Sequence, residues 1–126
     1  MTREVFNVEG APPAVGPYSH AVRTTGTLHF LSGQVPLKAD GEMVTGSITD
    51  QTEQVFHNIK VVLGGLGLNL GNVVKSAVFL SSMDHFVEMN AVYATHFEAP
   101  FPARSTIAVK ALPKNADVEI EVIAVG

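Results

Sequence analysis

A few positions in this 126-residue chain carry side chains whose type and spacing could do chemistry. Arg104 opens the run ARSTIAVK. A period of two there puts Arg104, Thr106, Ala108 and Lys110 on one strand face and Ala103, Ser105, Ile107 and Val109 on the other. A guanidinium fixed at a strand start can grip a carboxylate through two parallel hydrogen bonds; it can equally be a solvated surface arginine, and periodicity leaves both open. Glu119 and Glu121 share one face of VEIEVIAV, opposite the apolar Val118, Ile120, Val122 and Ala124. Such a pair can act as acid and base where burial separates the two pKa values, or it can be a solvated acidic face. Asn90 interrupts an apolar helical stripe, so if buried it must bond a backbone group or a ligand.

Other chemistries find little to work with. The chain has no cysteine, which removes disulfides, thiolate nucleophiles, iron–sulfur clusters and thiolate zinc sites. His20, His29, His57, His85 and His96 form no HExxH pattern, and the ligand-like pair His85/Glu88 is isolated, so no metal is expected. The glycine-rich run Gly64–Gly71 follows a helical pattern, not a strand, and lacks the dinucleotide spacing. No GxSxG or phosphate-loop motif is present. Eight basic against twelve acidic residues give a net charge of −4, the wrong sign for collecting phosphates, so nucleic acid is not an expected partner. No apolar run approaches the roughly 20 residues of a membrane span, and Met1–Gly10 lacks a basic, apolar leader, so the expected setting is the cytoplasm.

The elements that must position these residues read as one domain over residues 1–126, with 46% hydrophobic residues to build its core. Thr27–Ser32 reads as a strand and the Asp40-Gly41 turn as leading into a second. Val55, Ile59, Val62, Leu63 and Leu66 form a helical stripe starting near Ile48, capped by Ser47 or Asp50 and stopped at Gly64, Gly65 and Gly67. Val73–Leu80 (VVKSAVFL) is β-branched and apolar on both faces, as for a central strand covered on both sides. Asp84 is placed to cap a second helix striped by Phe86, Met89, Asn90, Tyr93 and Phe97, ended by Pro100 and Pro102. Ala103–Lys110 and Asp117–Val125 are the last strands. The expected order is β, β, α, β, α, β, β: an α+β fold whose mixed sheet carries two helices on one face and leaves the other for a partner copy.

The segment FPARSTIAVKALPKNADVEIEVIAV, Phe101–Val125, resembles the C-terminal signature of the YjgF/Rid family. Gly16–Val22 (GPYSHAV), Leu31–Pro36 (LSGQVP) and Met89–Tyr93 (MNAVY) match in the same order, so the likeness spans nearly the whole chain. The resemblance implies a chorismate-mutase-like fold, a homotrimer around a central barrel, and ligand clefts between subunits. It also implies cofactor-free hydrolysis of 2-iminobutanoate and 2-iminopropanoate to 2-oxo acids and ammonia. Carried over by motif position, Arg104 resembles the carboxylate-binding arginine, the backbone at Thr106 an adjoining substrate contact, and Glu119 the acid that places or activates water. Tyr18, Ser32, Gly33 and Asn90 resemble the cleft lining, with Glu121 a structural neighbour.

One departure stands out. Many members of the family carry cysteine where this chain has Thr106, so thiol-dependent behaviour does not transfer and substrate preference can differ. Two other readings compete. In one, the trimer binds small carboxylates or partner proteins without catalysis; in the other it is an endoribonuclease, as is attributed to some members. The pairing of Arg104 with Glu119 speaks against the first, and the acidic balance against the second.

Overall fold

The computed structural model describes all residues, 1–126. Its elements run β1 (Thr2–Phe6), β2 (Ala21–Thr25), β3 (Leu28–Phe30), α1 (Ile48–Gly65), β4 (Val73–Leu80), α2 (Phe86–His96), β5 (Ala103–Ala108) and β6 (Val118–Val125), with short 3-10 turns at Leu70–Asn72, Met83–His85 and Pro113–Asn115. The fold is α+β. A mixed four-stranded sheet has the order β3-β6-β4-β5, and β1 pairs with β2 in a separate antiparallel ribbon. β4 and β5 run parallel because α2 carries the chain back between them; β6 is antiparallel to both of its neighbours, β3 and β4.

α1 begins where Ser47 accepts the Asp50 N–H through its side chain, 3.1 Å, with Asp50 adding negative charge to the first turn. It ends in a Schellman pattern, Gly67 N–H to Gly64 O at 3.1 Å and Leu68 N–H to Leu63 O at 2.9 Å. Gly67 takes the left-handed conformation, φ +74°, that the motif requires. The buried stripe is narrower than the sequence suggested. Val55, Phe56, Ile59 and Leu63 are buried, whereas Val62 and Leu66 are exposed.

α1 and α2 pack on the same side of the sheet. There Val78 and Leu80 of β4 meet Val118, Ile120, Val122 and Ala124 of β6, under Phe56 from α1 and Met89 and Tyr93 from α2. Phe56 edges onto Tyr93, centroids 5.6 Å apart, and stacks on His96 at 4.3 Å, so an aromatic contact locks the two helices together. Burying side chains of this size contributes roughly 1.5–3 kcal/mol each.

The other sheet face is uncovered in the chain itself. Register places Phe30, Ile123 and Lys75 in one row, Glu121, Ala77 and Ser105 in the next, and Glu119, Phe79 and Ile107 in a third. Phe30 is 71% and Ile107 50% exposed. β4 is therefore central, as its sequence indicated, but covered on one side only.

Several sequence expectations need correction. The first strand pair, β1 and β2, was not anticipated, and beyond the Asp40-Gly41 turn only an isolated Leu37–Met43 bridge forms, not a strand. Ser82, not Asp84, supplies the capping side chain ahead of α2, accepting from the Asp84 N–H at 3.1 Å. β5 stops at Ala108, short of Lys110, and β6 starts at Val118. No helix is long and apolar enough to cross a membrane.

Candidate functional site

β5 settles the face that periodicity left open. Arg104 lies opposite Ser76 and Thr106 opposite Val78 in the β4–β5 ladder, and both of those β4 residues are fully buried on the helix side. The Arg104 guanidinium donates from Nη1 to Asn90 Oδ1 of α2 at 2.6 Å. It lies 4.7 Å from the Tyr93 ring centre, 5.6 Å from that of Tyr18 and 5.9 Å from that of Phe86, an aromatic cage on a cation. Its Nη2 faces Gly16, where an added Cβ would sit 3.8 Å away.

Arg104 takes part in no ion pair: the three in the chain are Lys38–Glu42, His85–Asp117 and His96–Glu53. Burial pulls its pKa down from the usual arginine value, while the neighbouring Tyr93 and Tyr18 act in the opposite direction. An arginine keeps its proton through such a shift, so the group is a half-buried cation with donors to spare and no anion. That is an arrangement suited to a carboxylate.

Tyr18 is held at the end of a long loop. Its hydroxyl accepts from the Val15 N–H at 3.4 Å, and Ser19 N–H bonds Pro102 O at 3.1 Å beside the start of β5. His20 anchors the same loop, its Nδ1 accepting from the Val8 N–H at 2.9 Å and its Nε2 lying 2.6 Å from Pro12 O. Arg104, Asn90 and Tyr18 therefore meet, with Thr106 next along the same face. The Thr106 hydroxyl is buried and has no hydrogen-bond partner.

Glu119, Ser32 and Gly33 form a second group, elsewhere. Glu119 lies opposite Phe79 on the open face of the sheet. Gln34 and Ile120 exchange backbone bonds of 2.9 and 3.1 Å, which draws the Ser32-Gly33 segment alongside β6. The Glu119 carboxylate occupies the space over Gly33: a Cβ there would stand 2.9 Å from Glu119 Cδ and overlap Oε2. Glycine at 33 is thus a matter of room, not of backbone conformation. Glu121 shares the open face and is exposed.

Within one chain the two groups lie on opposite faces of a sheet and cannot touch the same small molecule. None of the four surface cavities, of about 270 to 960 Å³, is lined by Arg104 or Glu119. His85, paired with Glu88 in the sequence reading, instead lies 3.8 Å from Asp117.

The sequence reading missed the support beneath Arg104. Tyr93 was read as a core residue, which it is, but its ring also carries the guanidinium and its hydroxyl bonds Ser76 Oγ at 2.7 Å. The signal available was its i, i+3 spacing from Asn90 on one helix face. Asn90 does make a structural bond, and its partner is the site arginine.

Comparison with known proteins agrees with the family resemblance. The family profile described as Endoribonuclease L-PSP matches residues 8–126. The protein HMF1 of Saccharomyces cerevisiae is 49% identical over 92% of this chain and 89% of its own. A 2-iminobutanoate/2-iminopropanoate deaminase of Dermatophagoides farinae is 43% identical over 98% of this chain and 96% of its own. The crystal structure of RidA from an Antarctic Psychrobacter superposes with a TM-score of 0.77 at 38% identity, covering 98% of this chain and all of that one.

Proposed function

Because the chain belongs to the Endoribonuclease L-PSP family, the YjgF/Rid family of the sequence resemblance, we propose that it hydrolyses small 2-imino acids to 2-oxo acids and ammonia. 2-Iminobutanoate and 2-iminopropanoate are the substrates this reading favours, in keeping with the names of relatives from a mite and from mouse. The observation that carries it is Arg104, a half-buried, caged guanidinium without an anion in its own chain.

The carboxylate of the imino acid takes the free donors of Arg104, which fixes the C=N carbon at the mouth of the cage. Water adds to that carbon as Glu119 takes one of its protons; Glu119 passes that proton to the nitrogen of the tetrahedral adduct and then relays the hydroxyl proton to it as well, so that the C=O forms as the C–N bond breaks and ammonia leaves. No electrons are transferred and no cofactor is required. Since Arg104 and Glu119 face opposite ways in one chain, the Glu119 that serves a given Arg104 comes from a second copy. The homotrimer with a central barrel is the assembly that this reading requires, with the cytoplasm as its setting. The uncovered face bearing Phe30, Phe79 and Ile107 supports such an assembly.

A second reading has one observation in its favour: the caged Arg104 guanidinium has donors to spare and could hold a carboxylate without Glu119. A coupled assay separates the two. Threonine dehydratase generates the imine in the presence of the purified protein, and imine disappearance is followed, with RNA cleavage tested alongside. Faster imine loss with intact RNA is the expected result. Binding of 2-oxobutanoate without faster loss would make the chain a carboxylate-binding module.

A further inference from the structure

The guanidinium of Arg104 is supported in two directions by one helix. Asn90 accepts in the plane at 2.6 Å, and Tyr93, one turn further along α2, lies beneath at 4.7 Å. Tyr93 is wholly buried, and three contacts restrict its tilt: the Phe56 edge at 5.6 Å, the Phe97 ring at 4.7 Å, and a hydrogen bond between its hydroxyl and that of Ser76 at 2.7 Å. Ser76 is also wholly buried, and it is the residue directly across the β4–β5 ladder from Arg104. One strand pair thus fixes the Arg104 backbone and, through Ser76, the ring under its side chain.

Two buried hydroxyls in an otherwise apolar cluster are costly to leave unpaired, and neither is needed to fill space. Phenylalanine at 93 and alanine at 76 would serve a purely hydrophobic core. We infer that the Tyr93–Ser76 pair is a positioning element: it sets the plane of the Arg104 guanidinium and so the angle at which the site meets a carboxylate. Tyr93 and Ser76 do not touch the substrate. This inference deepens the reading of Arg104 as the carboxylate clamp and rests on it. Its consequence is that orientation at the site depends on a hydrogen bond inside the core, below the layer where the ligand sits.

The test uses the full-length protein and two readouts, the Kd for 2-oxobutanoate by calorimetry and kcat/KM for the imine generated in situ. Tyr93→Phe keeps the ring and removes the hydroxyl; Ser76→Ala removes the other partner and stands in if the first variant folds poorly. Each should weaken 2-oxobutanoate binding and kcat/KM by about tenfold in folded protein of parental mass. In an Arg104→Lys background the same changes should cost less than about twofold, because an ammonium has no plane to orient. A structural role alone would give equal losses in both backgrounds, and that outcome overturns the inference, as does an unchanged Kd in Tyr93→Phe and Ser76→Ala. If the parent binds 2-oxobutanoate but does not hydrolyse the imine, the deaminase reading falls while the pattern in Kd still decides this one. If the parent binds no carboxylate at all, both fall together.

Discussion

Arg104 and Glu119 sit at opposite ends of a scale of preparation. The guanidinium is overdetermined by its own chain: a side-chain bond to Asn90, three aromatic rings, and a core hydrogen bond beneath one of them. Glu119 lies over Gly33 and opposite Phe79 and takes part in no ion pair, on a face left open by both helices. Burying an arginine requires compensation wherever it is placed, and supplying that compensation inside one subunit keeps the clamp rigid. In the proposed mechanism, a carboxylate that has to move a proton gains from a less occupied setting, which a second copy would complete. The comparison gives the two groups different sensitivities, and variants can break it.

Arg104→Ala should be the most damaging change. The substrate's permanent charge is its carboxylate, and no other side chain in the cage is cationic. Losing the partner of a buried charge costs about 2–5 kcal/mol, or roughly 30- to 5,000-fold in kcat/KM at 1.36 kcal/mol per tenfold. Arg104→Lys should recover only part, since a point charge on a flexible stem cannot hold the imine carbon in line. A folded Arg104→Ala protein within about threefold of the parent rate would remove the clamp and with it the proposed mechanism.

Glu119→Gln should come next, with a loss of about a hundredfold, at the lower end of what proton transfer supplies. Glu121→Gln, on the same face, is the internal control and should change little. Mixing sharpens the contrast further. Neither Arg104→Ala nor Glu119→Gln works alone, but a one-to-one mixed assembly puts an intact Arg104 against an intact Glu119 at about a quarter of its interfaces. Recovery of activity toward that fraction is expected; none after subunit exchange would mean that the two residues do not share a cleft.

How much of this was legible in the sequence depends on where the apolar side chains face. α1, β4 and β6 declared themselves because Val55, Ile59 and Leu63, and then Val118, Ile120 and Val122, are buried inside the chain. β5 was legible as a strand, but not which of its faces points inward, because Ile107 faces the side left open in a lone chain while Arg104 and Thr106 face the helices. Period two can sort a strand into faces but cannot say which one a partner will cover. β1 and β2 escaped notice because TREVF and AVRTT are short and mixed in polarity, joined by pairs such as Thr2–Thr25 rather than by core contacts. Gly33 was assigned to the cleft by resemblance; its physical reason, the carboxylate of Glu119 lying over it, is a long-range contact that no local pattern carries.

The anchor of the Glu119 strand gives a third prediction. Asp117 accepts from Ser81 Oγ at 2.7 Å and Gln51 Nε2 at 2.9 Å, tying the start of β6 to the end of β4 and to α1. Those two hydrogen bonds hold its pKa below the ordinary carboxylate range, with His85 adding to the effect and burial opposing it. A depressed folded pKa means stability that is present above the unfolded value, about 3.9, and lost as pH falls through the folded one. Acid should therefore loosen the Glu119 half of the molecule before the Arg104 half. Hydrogen exchange between pH 5 and 3 should show amides of Val118–Ile120 losing protection ahead of those in β5, and Asp117→Asn should flatten that pH dependence. Simultaneous loss in both strands would mean that the two halves are one cooperative unit under acid.

The smallest expected effect lies within the Arg104 half and asks whether every polar group there serves the clamp. The Thr106 hydroxyl is buried on the same face as Arg104 and has no partner in the chain. An unsatisfied buried hydroxyl costs roughly 1–3 kcal/mol, and valine has nearly the same shape without it. If the hydroxyl is idle, Thr106→Val should raise thermal stability by about 1 kcal/mol, a few degrees in Tm for a chain of this size, and leave imine hydrolysis unchanged. If instead bound substrate supplies the missing partner, the same substitution stabilises the free protein while raising KM, because the valine variant gains nothing on binding. Both outcomes are read from one melting curve and one saturation curve. A loss of stability in Thr106→Val would contradict the unpartnered hydroxyl itself and would mean that the group is bonded in the assembled protein, most directly by the copy that closes the cleft.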